Sequence, residues 1–332
     1  MAQMKYFYEL TISSSPHAHS PVTTQTIMRD VLIALVPALL GSIYFFGFRA
    51  LLVTLVSAAA CVFFEWGFCK IRKLHCKTYD LSAVVTGVLL AFVCPVTIPY
   101  WTIILGDFFA IVLVKMLFGG LGKNIVNPAL AGRAFLFSWP VLMSNWVKVG
   151  FDNAAGLLST ADAVTAATPM SAMHQGALPE ESILDRFLGN IGGCIGETSA
   201  LLLIIGFIYL LYRKVITARI PLAYIGTVAI LAFLFPQGND RIAWMAAQVF
   251  GGGLMLGAIF MATDYVTSPL TKLGQIVYGI GCGVITILIR YFGGYSEGVT
   301  YAILCMNACA VLLDKIGRPV KFGAPKKEAA KK

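Results

Sequence analysis

The chain has 332 residues, of which 58% are apolar and only 12% are charged. A soluble domain carries about 25% charged residues, so this composition excludes an ordinary soluble protein and predicts an integral membrane protein. The net charge of +9 then reflects Lys and Arg in loops on one side of the membrane, and it does not imply a nucleic-acid partner.

Apolar segments long enough to cross a bilayer as helices follow a polar segment at residues 1–30, which has no cleavable signal pattern. About ten are predicted, five within residues 31–143 and five within 196–314. Their approximate bounds are 31–47, 50–69, 82–99, 101–117, 126–143, 196–212, 220–236, 243–262, 271–290 and 298–314. The predicted fold class is an all-α, polytopic integral membrane protein.

The basic residues are distributed unevenly between the predicted loops. If the N-terminus is cytoplasmic, most of the 25 Lys and Arg residues lie inside, including those of the basic tail at 315–332. Outside remain only Arg49, Lys148, Arg186, Arg241 and Arg290. Because positive residues accumulate in cytoplasmic loops, both termini are predicted inside and the loop 144–195 outside.

The long loop 144–195 contains a run of small residues that ends in Thr168 and Pro169. Few unstructured connections of about 50 residues lack a function. Pro169 favours an extended conformation at Thr168, and the preceding alanines leave its hydroxyl open to a large planar group. Asp162 could hold a metal or a phosphate-bound water. The alternative is a plain loop in which Asp162 or Thr165 caps a helix.

Two polar turns with prolines interrupt the apolar segments. In the first, Asn127 is predicted to cap the fifth helix and Pro128 to begin it, which could also form a site for an anion or a polar ring. The second contains Asp264 and ends at Pro269. Pro95 and Pro128, like Pro236 and Pro269, are 33 residues apart, which hints at a parallel duplication, whereas a division into five and five spans would give inverted repeats.

Charged residues within predicted spans are costly and therefore suggest function. The clearest are Glu65, Asp107 and Arg133. Glu65 is interpreted as reaching the inner surface near Lys70. Asp107 could lie on a path for sodium ions or protons, or could take part in a structural pairing.

Four features resemble one family, which contains the RnfD protein of the Rnf electron-transport complex and the NqrB protein of the sodium-pumping NADH:quinone reductase. The features are Ser15-Pro16-His17 with Ile27-Met28-Arg29-Asp30, the turn Asn127-Pro128-Ala129, the run Asp162–Thr168, and Phe260-Met261-Ala262-Thr263-Asp264. They span most of the chain in the expected order.

The resemblance implies a covalent flavin on the long loop. In that family the last threonine of Asp-x-x-Ser/Thr-Gly/Ala-Ala-Thr carries FMN through a phosphoester bond. The matching residue here is Thr168, framed for recognition by Asp162, Thr165, Ala166 and Ala167, with Ala166 in place of the more common glycine. A flavin transferase outside the cytoplasm would transfer FMN from FAD with magnesium and release AMP.

The resemblance further implies an electron-carrying subunit in the cell membrane of a prokaryote, surrounded by lipid and by other Rnf subunits. The complex would pass electrons between ferredoxin and NAD and couple them to movement of sodium ions or protons. A second, non-covalent flavin such as riboflavin would bind near the turns of Asn127 and Asp264. The competing hypothesis from the residues is a secondary transporter of a small solute or ion.

Overall fold

The computed structural model describes residues 22–73, 78–143, 145–147, 169–174, 176, 182–238 and 240–317. Within these ranges the regular structure is helical and contains no β-strand, as the all-α prediction requires. The run from Asp162 to Thr168, which includes Thr165, Ala166 and Ala167, lies outside the described residues.

The first part of the chain begins with two long helices, and α1 starts at a capping box between Thr23 and Thr26. Its helices are α1 (Thr24–Phe46), α2 (Phe48–Ile71), α3 (Ser82–Phe92), α4 (Tyr100–Phe108), α5 (Pro128–Leu136) and α6 (Pro140–Met143). A short 3₁₀ turn, Thr78–Asp80, precedes α3, and a π-helix, Phe109–Met116, continues α4.

The second part contains two short helices from the long loop and then a further group of apolar helices. They are α7 (Pro169–His174), α8 (Ile183–Leu188), α9 (Ala200–Tyr212), α10 (Arg219–Leu234), α11 (Arg241–Phe250), α12 (Leu254–Leu256), α13 (Lys272–Phe292) and α14 (Val299–Leu313). A second π-helix, Gly257–Met261, continues α12. Both π-helices therefore precede one of the two polar turns that the sequence singled out.

Three helices, α1, α2 and α13, are long and apolar enough to cross a membrane. A fourth candidate is the pair of α11 with the segment Leu254–Met261, which bends by 58°. Only 28% of the apolar window is buried in α1 and in α2, so most of their apolar surface faces outward, as contact with lipid requires. These features fit a membrane protein, while the count of ten spans and the sidedness stay predictions.

Several apolar segments are broken where continuous spans were predicted. The span 82–99 was too long, because α3 ends at Phe92 and the following carbonyl groups bond elsewhere. Arg49 donates through Nε to the carbonyl oxygen of Val96 at 2.8 Å and through a terminal nitrogen to that of Ile98 at 3.2 Å. Irregular backbone is tolerated at membrane depth when protein groups satisfy it in this way.

Two other predicted spans are also interrupted. The span 126–143 is helical only to Leu136 before a turn leads to α6, and the span 243–262 bends at Gly251–Gly253. Gly251 and Gly252 face Met170 so closely that an added Cβ would lie 2.9 Å from its Sδ or 3.2 Å from its Cγ. The bend therefore depends on residues without side chains.

Small residues allow the helices to approach each other closely. A Cβ on Gly87 of α3 would lie 2.7 Å from the backbone of Ala58 in α2. A Cβ on Gly283 of α13 would lie 2.7 Å from Cβ of Thr227 in α10. The first of these contacts holds α3 against α2, the pair that carries several of the buried polar residues described next.

Candidate functional site

A cavity of about 780 Å³ lies where the start of α3 meets the two polar turns. We call it the Asn127 cavity. Its polar lining comes from Ser82, Thr86, Lys115, Asn124, Asn127 and Asp264. The structure thus brings Asn127 and Asp264 to one space, although they lie far apart in the sequence.

Asn127 holds both walls of this cavity. Its Oδ1 accepts hydrogen bonds from the backbone nitrogens of Ala129 and Leu130 at 3.0 and 3.4 Å. Its Nδ2 donates to the carbonyl oxygen of Met261 at 3.2 Å. Asn127 is therefore the cap of α5, with Pro128 at the first helical position, as the sequence predicted.

The Asp264 turn forms the opposite wall. The Thr267 hydroxyl donates to Oδ2 of Asp264 at 3.1 Å, and burial raises the pKa of this carboxyl group above its usual value. The Tyr265 hydroxyl donates to the carbonyl oxygen of Val215 in the loop after α9. That bond ties the turn to the neighbouring loop, so both line the cavity.

A buried ion pair stands at the edge of the same cavity. Nζ of Lys115 lies 3.1 Å from Oε2 of Glu65 and donates to the Ser82 hydroxyl at 2.6 Å. The expectation that Glu65 reaches the inner surface near Lys70 was wrong, because Glu65 is buried against Lys115. Lys70 instead lies over the Trp66 ring, 4.8 Å from its centroid.

Asp107 is fully buried in α4, between α2 and the rest of the bundle. Its Oδ1 accepts hydrogen bonds from the Ser57 hydroxyl at 2.7 Å and from the Cys61 thiol at 3.2 Å. Its Oδ2 has no hydrogen-bond partner, and no Lys or Arg pairs with it, within the part of the chain that the structure describes. The pairing with a cation that the sequence left open is therefore not formed among those residues.

A second charged cluster surrounds Arg133 of α5. The Arg133 guanidinium pairs with Glu197 at 3.3 Å and with Glu297, and it donates to the Thr300 hydroxyl at 3.1 Å. Sequence analysis selected Arg133 but missed both glutamates. Each stands in a glycine-containing turn just before an apolar helix, where a surface position was the simpler interpretation.

The same cluster has the ligand types of a metal site. Ligand atoms of Cys194, Glu197 and Glu297 lie within 4.8 Å of one another. However, the Arg133 guanidinium pairs with both of these carboxylates. It supplies the positive charge that a metal ion would otherwise provide, so the arrangement is a buried ion-pair network.

Helix α7 docks beside this network, directly after Thr168 in the sequence. The Met170 side chain is only 2% exposed and packs on Gly251 and Gly252 at the bend between α11 and α12. Nδ1 of His174 lies 3.0 Å from the carbonyl oxygen of Arg290. Arg290 in turn donates to the carbonyl oxygen of Gln248 at 2.6 Å, near the end of α11.

Comparison with known proteins places these features in a family. The sequence profile of the NQR2, RnfD, RnfE family matches residues 11–323. The chain belongs to this family. Its membership confirms the resemblance that the four sequence motifs indicated.

Members of the NQR2, RnfD, RnfE family with assigned names are similar over nearly the whole chain. The chain is 46% identical to the RnfD protein of the Na(+)-translocating ferredoxin:NAD(+) oxidoreductase complex of Acetobacterium woodii, with 96% of each chain covered. It is 44% identical to the RnfD protein of the proton-translocating ferredoxin:NAD(+) oxidoreductase complex of Clostridium ljungdahlii, with 94% of this chain and 96% of the relative covered. It is 35% identical to the corresponding protein of the ion-translocating oxidoreductase complex of Halorhodospira halophila, with 93% and 94% covered.

Proposed function

We propose that this protein is the electron-carrying membrane subunit of an Rnf-type ferredoxin:NAD oxidoreductase complex that translocates an ion. The observation that carries the proposal is the match, over almost the full length of both chains, to relatives named as the RnfD component of such complexes. One relative is named for Na⁺ and the other for protons. The names therefore support ion translocation without selecting the ion.

Covalent FMN on Thr168 is the first part of the proposed electron route. The support is the run from Asp162 to Thr168 in a chain of this family. Thr168 is two residues before Met170, so their Cα atoms are at most about 7 Å apart in any conformation. Since Met170 is buried at the bend beside Arg290, a group on Thr168 would be tethered close to the buried network.

The attachment requires a flavin transferase and a particular sidedness. The proposed topology puts the loop 144–195 outside the cytoplasm, where the transferase of this family is expected to act. The Thr168 hydroxyl oxygen would attack the FMN phosphorus of FAD, a new O–P bond would form, and AMP would leave. Such phosphoryl transfer depends on positioning and on neutralisation of charge by magnesium.

A non-covalent flavin in the Asn127 cavity is the second part. A volume of about 780 Å³ is within the usual range for a site of this ligand size. Apolar walls from residues such as Val85, Leu89 and Phe260 suit a flat ring, and the amides of Asn124 and Asn127 can hold its polar edge. When bound, the flavin supplies the one- and two-electron chemistry that side chains lack.

The charges of the cavity favour a flavin without a phosphate. Lys115 is the cation among the described lining residues, and Glu65 already neutralises it. Asn127 already bonds the first free amides of α5, which would otherwise attract an anion. Asp264 adds a carboxyl group to the same lining. These features support riboflavin over FMN in this cavity.

We place Asp107 on the ion path of the proposed complex. A buried carboxyl group with one oxygen lacking a hydrogen-bond partner among the described residues offers a place for a cation or a proton. Ser57 and Cys61 hold the other oxygen and so fix the side chain.

A secondary transporter is the competing function, favoured by the 58° bend between α11 and the segment that follows it. Broken helices of this kind form solute sites in many carriers. That hypothesis gives no role to the run that ends in Thr168.

Flavin analysis of the purified protein separates the two functions. The protein is produced in cells with an active flavin transferase and then denatured. A fluorescent protein band together with a phosphate-free flavin in the supernatant is expected for the redox subunit. A dark band with a flavin-free supernatant would contradict the proposal and favour the transporter.

A further inference from the structure

Two spaces at the same end of the bundle are separated by a few buried polar side chains. The first is the Asn127 cavity. The second is a recess of about 1530 Å³ between the start of α1, the end of α2 and the turn before α3. We call it the Glu65 recess, and it is lined by Glu65 and Asp80 together with the exposed residues Thr24 and Tyr79.

A continuous series of hydrogen bonds connects the two spaces. Nζ of Lys115, which lines the Asn127 cavity, lies 3.2 and 3.1 Å from the carboxylate oxygens of Glu65. It also donates to the Ser82 hydroxyl at 2.6 Å, and this hydroxyl donates to Oδ1 of Asp80 at 2.7 Å. Two carboxylates in the recess therefore reach one ammonium group at the cavity, directly or through one hydroxyl.

Stability alone does not account for such a pair. A buried ion pair is often no more stable than an apolar pair of similar volume, because both charges lose their hydration. Lys115 and Glu65 are nevertheless 2% and 5% exposed. Their place between two cavities gives the charges a further use, since carboxylate, ammonium and hydroxyl groups are the side chains that can pass protons.

A buried redox site needs a supply of protons. An electron that enters the Asn127 cavity adds a negative charge to a poorly hydrated space, which is costly unless a cation follows. A proton that arrives with each electron leaves the buried charge unchanged. The residues between the two spaces are placed to deliver it from the side on which α1 begins.

We propose that Glu65, Lys115, Ser82 and Asp80 form a proton path from the Glu65 recess to the Asn127 cavity. The inference rests on the proposed flavin in that cavity. Water in the recess protonates the Glu65 carboxylate, Lys115 gives one N–H proton to the acceptor in the cavity, and the neutral amine takes the proton from Glu65. One proton crosses, and both groups return to their charged forms.

Other titratable groups face the same path from the surrounding elements. Asp264 lines the cavity from its turn, and Cys69 and Tyr79 line the recess. Cys61 of α2 is close enough to interact electrostatically with both Lys115 and Glu65. Lys115 is the member of the path whose replacement separates proton transfer from charge, because arginine keeps the charge but does not release a proton at ordinary pH.

The test is a pH jump applied to the reduced complex, in which the subunit also carries Thr168→Val so that the covalent flavin contributes no signal. The absorbance of the reduced non-covalent flavin reports its protonation. Lys115→Met and Lys115→Arg should both slow protonation by about a hundredfold, the usual size of a proton-transfer contribution. Thr54→Val is the matched control, because this buried hydroxyl of α2 donates to the carbonyl oxygen of Ala50 in its own helix and lines neither space. Its rate should equal that of the parent.

The outcomes distinguish the path from the flavin site. A parent protein without extractable flavin would overturn both, before any variant is made. With flavin present, protonation at the parental rate in both Lys115 variants would overturn the path, as would a normal rate in Lys115→Arg alone, which indicates a purely electrostatic role. If the Lys115 variants lose flavin, the double variant Glu65→Gln/Asp80→Asn decides, since neither residue is among those lining the cavity. A slowed rate in that double variant supports the path, and a parental rate overturns it.

Discussion

Nδ2 of Asn127 donates a hydrogen bond to the carbonyl oxygen of Met261, which lies 3.2 Å away and 134 residues later in the chain. The same side chain caps α5 through its oxygen. One amide therefore joins the start of α5 to the end of the second π-helix, and its two ends have different roles. This division allows the cavity to be perturbed without removing the cap.

Replacement of Asn127 by aspartate should weaken the non-covalent flavin site selectively. Asn127→Asp keeps the capping oxygen but loses the donor to Met261 and adds a negative charge near Asp264. Loss of about one net hydrogen bond corresponds to roughly tenfold weaker binding. The measurement is the ratio of extractable flavin to covalent FMN in purified protein.

The matched control for this experiment is Gln275→Glu. Arg219 donates to Oε1 of Gln275 at 3.2 Å, and a glutamate retains that acceptor. Gln275 is not among the residues lining the Asn127 cavity, so the ratio should not change. An equal loss of flavin in both variants would show that the amide of Asn127 has no specific role.

Thr168→Val is expected to remove the covalent flavin while the protein still inserts into the membrane. Valine has nearly the shape of threonine but lacks the hydroxyl that would accept the phosphoryl group. Intact-mass spectrometry should show the loss of one FMN. Thr160→Val is the control in the same loop, and FMN retained in Thr168→Val would place the flavin elsewhere.

The all-α class and the long helices could be predicted from the sequence, but the breaks could not. The predicted span 271–290 agrees closely with α13, Lys272–Phe292, because a long apolar segment in lipid has to satisfy its backbone by forming a helix. The same apolar composition continues through Val93–Ile98, where the backbone is instead bonded by Arg49. Hydropathy cannot reveal that bond, since its donor belongs to another helix.

Prediction of the site was limited by the same distance along the chain. Asn127 could be selected because a cap and a following proline are adjacent in sequence. Glu297 could not, since its partner Arg133 is 164 residues away. Lys115 was interpreted only as a cytoplasmic basic residue, because nothing local indicates its pairing with Glu65.

Asp107→Asn should lower the number of ions translocated per electron without lowering the amount of assembled complex. Asparagine can still accept hydrogen bonds from Ser57 and Cys61 through Oδ1, so the packing is retained, but the charge that attracts a cation or proton is lost. Ion uptake in reconstituted vesicles, normalised to bound FMN, measures the effect. Asp314→Asn is the control, since its Oδ1 accepts from the backbone of Leu270 at 2.6 Å near the end of the described chain. An unchanged ratio at normal assembly would exclude Asp107 from the ion path.

A cysteine in α8 should react from outside intact cells. Leu184 is 70% exposed and lies in the segment 144–195, so Leu184→Cys should be labelled by a membrane-impermeant thiol reagent. Arg72→Cys, at the C-terminal end of α2, should be labelled only in broken cells, and the unmodified chain gives the background of its native cysteines. The reverse pattern would overturn the topology and, with it, the proposed side of flavin attachment.

Two arginines that both form ion pairs should differ strongly in their contribution to stability. The Arg133 side chain is 1% exposed, and Arg133→Met would leave the buried Glu197 and Glu297 without their cation, at a cost of about 3–5 kcal/mol. The Arg213 side chain is 47% exposed in its pair with Asp30, so Arg213→Met should cost only about 0–1 kcal/mol. Thermal unfolding of the purified variants should therefore show a much lower Tm for Arg133→Met. Adding Glu197→Gln to that variant should recover part of the loss, because one unmatched charge is removed; equal Tm values for the two single variants would show that Arg133 does not stabilise the fold through this network.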